Sequence, residues 1–488
     1  MTNPLLLGID EGTTAVKAAL FDCELRVVAE ARRAVAISHP QPGWVEQDPE
    51  TILEAVVDAV AEVLEHAEGR DVIAAGLDHQ GESVLAWDAE HKRALTPVVV
   101  WQDKRQESLL RDIAHDDVAR SGLPLDPYFS AGKLAWLLAN DRAVREARER
   151  GSLRLGTVDA FLVERLGGRF ATDLSTASRT QLLARGGRDW DEQLLATFGV
   201  QREWLPAIGP TFGKLGALTH PRWPAEIALA AQLVDQQAAL AGSGATRRGE
   251  LKATYGTGVF VLGRTDGETE ADGVLPTVAW AAADAHGGVG EVAYALDGGV
   301  FAAGALLDWM AQGLGLAPDA RTLARSAASV SDSAGVMVLP ALAGLGAPWW
   351  QPGAHAVVAG LHAGVGPAHV ARAALEAIAW RVSDIVEAMG AAGAVNGVRV
   401  DGGLTNDPTL LQIQADALGM ELLVNDADVT VLGAAMLAGV GAGVFASVED
   451  AAKRLPRGRV VKPTSTAAER AAQRERWRRF VTASSALP

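Results

Sequence analysis

Short apolar runs separated by glycine-rich turns set the rhythm of this chain. Leu5-Leu6-Leu7 leads into Gly8-Ile9-Asp10-Glu11-Gly12-Thr13-Thr14, and the pattern predicts strand, turn, strand over 5–9, 15–21 and 25–31. Gly12 and Asp22-Cys23-Glu24 supply the turns. Asp48 reads as a helix cap, with Pro49 at the first helical position and Ile52, Val56, Val60 and Val63 at helical spacing behind it. Residues 72–77 read as a buried strand and 83–87 as another; helices are expected at 133–140, 143–150 and 160–166. The stretch 206–224 holds four prolines and three glycines and predicts surface loops before Leu233-Val234-Asp235.

A boundary is expected near 242–249, because the strand, Gly-Thr turn, strand pattern then repeats over 250–261. A strand at 292–296, a helix at 300–312 and a strand at 336–340 follow. Further helices are expected at 367–389, 408–418, 432–441 and 467–482, with a strand at 397–400. Two halves that each begin with a β-meander and end in helices imply an α/β protein with a duplicated unit: domains 1–245 and 246–488 with a cleft between them.

The two turns carry the first chemical signal. Glycine lets the backbone approach a ligand closely, and successive N–H groups form a concavity suited to phosphate oxygens. One turn is Gly12-Thr13-Thr14; the other is Gly256-Thr257-Gly258. Asp10 adds a carboxylate suited to hydrated Mg²⁺. These features point to an ATP-dependent phosphotransferase. A net charge of −16 over 488 residues argues against nucleic acid or an anionic membrane as partner. The single cysteine, Cys23, excludes an intrachain disulfide and fits a reducing cytoplasm. The run Leu5-Leu6-Leu7 is too short for a signal peptide, and no apolar run has the length to span a bilayer.

Ordered blocks along nearly the whole chain, from Leu5 to about Phe445, make it resemble the FGGY family of carbohydrate kinases, and within it the glycerol kinases. They include residues 8–14, Pro42-Gly43-Trp44, Val100-Trp101-Gln102, Pro127-Tyr128-Phe129-Ser130, Gly156-Thr157-Val158-Asp159, Thr176-Ala177-Ser178-Arg179-Thr180 and Asp235-Gln236-Gln237. Thr254-Tyr255-Gly256-Thr257-Gly258, Gly344-Leu345-Gly346 and Val400-Asp401-Gly402-Gly403 continue them. The resemblance implies two actin-like, ribonuclease-H-like lobes, with ATP and a small polyol or sugar in the cleft, Mg²⁺ as cofactor, and a homodimer. Within this frame the alternatives are a four- or five-carbon polyol or ketose such as xylulose as acceptor, and a non-catalytic nucleotide-binding regulator.

Asp235 is the expected catalytic base, at the end of an apolar strand; its competing role is to cap the following helix. Thr13, Thr14 and Lys17 are expected at the first phosphate turn, and Gly256 and Thr257 at the second. The resemblance places Gly298 and Gly299, opening a helix, beside the nucleotide, and Gly402, Gly403 and Asp407 on its adenosine side. It assigns Glu82, Trp101, Tyr128, Gln236 and Phe260 to the acceptor pocket, with Asp235. Glycerol kinases carry an Arg-Glu pair where this chain has Gly81-Glu82. The glycine removes a charge, and is expected to open room for a larger acceptor. Asp103 either binds a further hydroxyl or pairs with Lys104 or Arg105. His79 is expected to be structural, since no second histidine lies at ligand spacing.

Overall fold

The computed structural model describes residues 4–485; the outermost three positions of each expected domain lie outside the described residues. The chain forms two compact units. Unit 1 comprises the chain up to Thr246, Pro276–Tyr294 and Val429–Pro456; unit 2 comprises Arg247–Leu275, Ala295–Asp428 and the chain from Arg457. The first passage between units follows Thr246, but two later segments return to unit 1, so a single cut at 245 leaves both of them out.

In unit 1 the main sheet runs Phe212–Leu218, Ile227–Val234, Val72–His79, Leu5–Glu11, Ala15–Phe21, Val27–Ala34. Its central three strands, Ile227–Val234, Val72–His79 and Leu5–Glu11, are parallel; the rest are antiparallel. Leu5–Glu11 is buried along its whole length, and its side chains alternate between two covered faces. Leu5, Leu7 and Ile9 share a core with Ile52, Val56 and Val60 of the helix Pro49–Glu65, whose cap is the expected Asp48, accepting from Glu50 N. The other face meets the helix Val429–Gly441. There Gly8 and Gly76 bring backbone against backbone: an added Cβ would lie 2.2 Å from the Val431 carbonyl oxygen at Gly8 and 2.0 Å from that of Ala434 at Gly76. The same helix meets Asp235–Gly242 in the same way, with Gly433 against the Ala238 carbonyl and Gly242 against that of Val429.

A second, antiparallel sheet in unit 1 runs Glu46–Gln47, Val98–Val99, Val84–Asp88, Leu153–Thr157. Unit 2 repeats the connectivity of the first sheet. Glu250–Tyr255 pairs antiparallel with Val259–Arg264, which pairs antiparallel with the end of Val289–Val300; on its other side it runs parallel to Gly397–Asp401, and that strand runs parallel to Leu422–Val424. The helices Pro367–Gly390, Pro408–Leu418 and Ala467–Ser484 pack around this sheet. Asp384 Oδ2 accepts from Trp349 Nε1 and Trp477 Nε1, both at 3.0 Å, and so holds the terminal helix to the core of unit 2.

Two expectations change. The proline- and glycine-rich stretch 206–224 is not all loop: Ala207–Gly209 and Phe212–Leu218 are strands. Gly213 and Gly216 have positive φ, and the register of Phe212–Leu218 against Ile227–Val234 shifts between Phe212 and Gly216, so a bulge hides the strand's alternation. Gly298 and Gly299 do not open a helix. They lie within the strand Val289–Val300, opposite Val261 and Phe260, and Gly298 leaves room for Ile385, whose Cγ2 would sit 2.6 Å from an added Cβ. No helix among the described residues is long and apolar enough to cross a membrane.

Gly76→Ala is expected to destabilise the protein by about 3 kcal/mol, the upper part of the range for overpacking, because the obstruction is a backbone carbonyl that cannot turn away. Gly397→Ala, where nothing lies within 4 Å of the new Cβ, is the control. Thermal denaturation of the two variants checks this; equal melting temperatures would show that the helix Val429–Gly441 can shift freely.

Candidate active site

The parallel strands of unit 1 end together, and each end carries a carboxylate. Register pairs Asp10 with Asp78 on neighbouring strands, and Leu233 with Asp78 on the next, which puts Asp235 just beyond the third strand. Asp10 and Asp78 each follow, by two residues, the glycine that meets the helix Val429–Gly441, so they share its face of the sheet. The carboxyl ends of parallel strands are where open α/β sheets bind ligands.

Asp78 is fully buried, and the Asp10 carboxyl lies within hydrogen-bonding reach of its own. Burial first, then the charges of Asp10 and Asp235, hold its carboxyl well above the ordinary range; Lys17 opposes them. Lys17 Nζ, expected at the first phosphate turn, is 3.1 Å from Asp10 Oδ2 and pairs with the first carboxylate. Glu11 is also buried and raised, chiefly by desolvation; Gln80 Nε2 donates to its Oε1 at 2.7 Å. Buried carboxylates gathered around one lysine, two of them close enough to raise one another, fit a hard divalent cation with oxygen ligands. Asp235 is the first helical residue of Asp235–Gly242, not its cap, and its Oδ1 accepts from Gln236 N at 2.7 Å. Gln236, half-buried, lies beside it.

The Gly12–Thr14 turn closes through Gly12 N to Ala15 O at 3.1 Å. Thr13 is tied from two sides: Trp101 Nε1 donates to its Oγ1 at 3.0 Å, and Gln47 Nε2 to its carbonyl at 2.7 Å, while Thr14 is exposed. Trp101 stacks edge-on against Tyr128 with centroids 5.7 Å apart, and its backbone N–H reaches Ser83 Oγ at 3.0 Å. Glu82 is buried next to Ser83, and Arg179 Nε donates to its Oε1 at 2.8 Å. The structure therefore brings Asp10, Thr13, Lys17, Glu82, Trp101, Tyr128, Asp235 and Gln236 into unit 1 on connected elements.

Gly81 is not an opening. An added Cβ would lie 2.7 Å from Val234 Cγ1, so the direction of the missing side chain is already filled. Asp103 is taken: Arg105 donates to it through N, Nε and Nη2 at 2.7–2.9 Å, and Val45 N at 2.6 Å. Of its two expected roles, the pairing with Arg105 is the one the structure contains. His79 is buried, with Nε2 2.9 Å from Thr176 Oγ1, as a structural histidine should be.

In unit 2, Gly256 and Thr257 are exposed on a turn closed by Gly256 N to Gly258 O at 2.9 Å. Phe260 follows on the adjoining strand, half-buried. Gly402, at φ +96°, lies against the Tyr255 backbone, where any Cβ would clash with the carbonyl at 2.4 Å; Gly403 beside it is open. Asp407 caps the helix Pro408–Leu418, accepting from Thr409 N and Leu410 N at 2.8 and 3.1 Å, which commits its Oδ1 to the fold. Beneath both turns, buried Lys252 donates to Thr254 Oγ1 at 3.0 Å, and burial pushes the Asp401 carboxyl up to about 6 against the pull of Lys252.

Three residues were not singled out from the sequence. Asp78 stood in a quoted run without a role, and its register opposite Asp10 is the signal. Arg179 lay in a matched block, but nothing local links it to Glu82. Lys133 is fully buried, and its Nζ donates to the carbonyls of Pro127, Tyr128 and Phe129 at 2.9, 2.5 and 3.2 Å, fixing the loop that presents Tyr128. Burial pushes this ammonium down to about 7, while Glu82, Asp103 and Asp126 pull it back. A lysine at the start of an expected helix carries no sign of this.

Comparison with known proteins agrees with this geometry. The N-terminal domain of the FGGY family of carbohydrate kinases matches residues 5–242, and its C-terminal domain matches 251–442. The chain is 42% identical over 454 residues to a glycerol kinase of Geobacter sp. (strain M21), covering 90% of each. It is 40% identical over 490 residues to a glycerol kinase of Aromatoleum aromaticum, covering 98% of each. Among solved structures, that of Plasmodium falciparum glycerol kinase with ADP superposes with a TM-score of 0.91 at 26% identity, over 100% of this chain and 99% of that one. The chain belongs to the FGGY family of carbohydrate kinases.

Proposed function

We propose that this kinase transfers the γ-phosphate of ATP to a primary hydroxyl of a small neutral polyol, with glycerol the first acceptor to test. The observation that carries the reading is the convergence of Asp10, Asp78 and Asp235 at the carboxyl ends of three parallel strands, next to a Gly-Thr turn. Relatives at 40% identity and above that bear the name glycerol kinase support the acceptor. The expectation of a larger acceptor rested on space at Gly81; Val234 Cγ1, 2.7 Å from where a Cβ there would lie, counts against that space.

In this reading Asp235 takes the proton of the attacking hydroxyl, since an alcohol is a weak nucleophile until a positioned base removes it. Glu82 accepts from a second hydroxyl, and Trp101 and Tyr128 supply an apolar wall for the carbons. Thr13, Thr14 and the N–H groups of their turn bind phosphate oxygens; Gly256 and Thr257 offer the same chemistry in unit 2, and Gly402 and Gly403 let the backbone approach the nucleoside. Asp10 and Asp78 would hold the water shell of Mg²⁺. When bound, the ion neutralises charge that develops on the phosphates. Lys17 holds Asp10 in place through their ion pair. A cytoplasmic setting suits the single cysteine and the need for ATP, and we expect a homodimer.

A coupled ADP-release screen over glycerol, tetritols, pentitols and ketopentoses tests the assignment. Glycerol, or another neutral polyol, should release ADP well above the acceptor-free background; a chain that binds ATP and responds to none of them is a nucleotide-binding regulator.

Asp235→Asn should bind nucleotide normally and lose kcat by about 10² or more, if base catalysis is what the carboxylate contributes. Single-turnover kinetics on the best acceptor decide this, and near-wild-type kcat would remove Asp235 from the role of base.

Asp78→Asn separates charge from shape. A carboxyl whose folded pKa is raised binds its proton more tightly in the folded state, so it contributes stability below the unfolded value near 3.9 and loses it as pH rises through the folded value. In the absence of Mg²⁺, the variant should therefore gain stability relative to wild type as pH goes from about 4 to 8. Added Mg²⁺ should stabilise wild type more than the variant. Denaturant unfolding across that pH range checks both; a gap between the proteins that does not change with pH would mean that Asp78 titrates normally.

A further inference from the structure

Gly81 and Glu82 occupy one turn, and their surroundings differ sharply. Position 81 is closed: Val234 is β-branched, buried, and immediately precedes Asp235. Its stiff side chain cannot swing away from a larger residue without moving the strand end that carries the carboxylate. Glu82 is approached from elsewhere. Arg179 follows the short helix Leu174–Ala177, and its Nε meets Glu82 Oε1 at 2.8 Å, with the two side chains only 4% and 5% exposed. The guanidinium lies 6.0 Å from the ring centre of Tyr128 and 5.7 Å from that of Phe129.

A buried carboxylate is costly unless paired, and a planar guanidinium fixes its direction better than an ammonium does. Arg179 thus touches two parts of the acceptor wall, the carboxylate and the Tyr128 ring, from a segment nearly a hundred residues away.

We propose that Arg179 is the positioning residue of the acceptor site, acting through Glu82. This rests on Glu82, Trp101 and Tyr128 lining the acceptor site.

Steady-state kinetics of Arg179→Gln, Arg179→Lys, Glu82→Gln and the Arg179→Gln/Glu82→Gln double variant test this with glycerol and with the best polyol of the screen. Arg179→Gln should raise the acceptor KM by about ten- to hundred-fold, the worth of a charge-assisted hydrogen bond. The KM for ATP should stay within about twofold. Arg179→Lys should recover part of the loss, and the double variant should be no worse than Glu82→Gln alone. An unchanged acceptor KM in Arg179→Gln, or losses that simply add in the double variant, would overturn the proposal. If Arg179→Gln does not fold, as judged by circular dichroism, Arg179→Lys decides: its acceptor KM should rise several-fold, and an unchanged value overturns the proposal. If the wild type turns over no polyol, the kinase reading for polyols fails by itself. Calorimetric glycerol binding to wild type and Arg179→Lys then tests Arg179 separately: weaker binding to the variant supports its role, while equal binding, or none to either, removes it.

Discussion

The contact on which unit 1 depends is made between backbones. The helix Val429–Gly441 lies directly on Leu5–Glu11 and Val72–His79, and the meeting points are Gly8 and Gly76. A methyl group at either would overlap a helix carbonyl. Close-packed interiors tolerate even a methylene poorly, so these glycines set how near the layers come. The consequence reaches the chemistry two residues later. Asp10 and Asp78 lie on the same face as the glycines, just past the contact, so the spacing of helix and sheet also fixes where the carboxylates sit. The helix meets Asp235–Gly242 through Gly433 and Gly242 as well, and that places the third carboxylate relative to the first two.

Charge then works against packing. Asp78 is held above its ordinary pKa because burial and two neighbouring carboxylates disfavour its charged form. Lys17 relieves part of this through Asp10. A group of like charges at strand ends costs stability in the absence of a counter-ion, and that cost becomes binding energy when a cation arrives. Local conflict of this kind is expected at a functional site and is out of place elsewhere in a core. The buried Lys252, within the strand Glu250–Tyr255, and the raised Asp401, at the end of the neighbouring strand, form a comparable pair beneath the turns of unit 2.

Much of the fold was legible because local rules and tertiary packing agree. Asp48-Pro49 before a helical stripe, the Gly-Thr turns between strands, and the run 367–389 each appear as helix or turn in the structure. Where they disagree, the sequence misleads. Phe212–Leu218 is a strand despite its glycines, because a bulge absorbs them. Gly298 and Gly299 continue a strand, and Gly298 leaves the space that Ile385 fills. The segments 276–294 and 429–456 join unit 1 by packing alone, and no composition change marks them. Site residues divide the same way. Asp10 and Asp235 sit beside glycine or at strand ends, where local pattern suffices. Asp78 required strand register, and Arg179 and Lys133 required the tertiary fold. Asp103 and Asp407 carry the right chemistry for a site, yet their oxygens accept from Arg105 and Val45 and from a helix start.

Gly81 shows why a missing side chain is a poor measure of empty space. Read alone, an arginine-to-glycine change removes five donors and a long aliphatic stem, which suggests a wider pocket. Here Val234 stands where the first atom of a side chain at 81 would lie, and Arg179 supplies a guanidinium to the neighbouring Glu82. Neither is near 81 in sequence. The surroundings of Glu82 are therefore better described by what it touches than by what stands next to it in the chain, and that contact is Arg179.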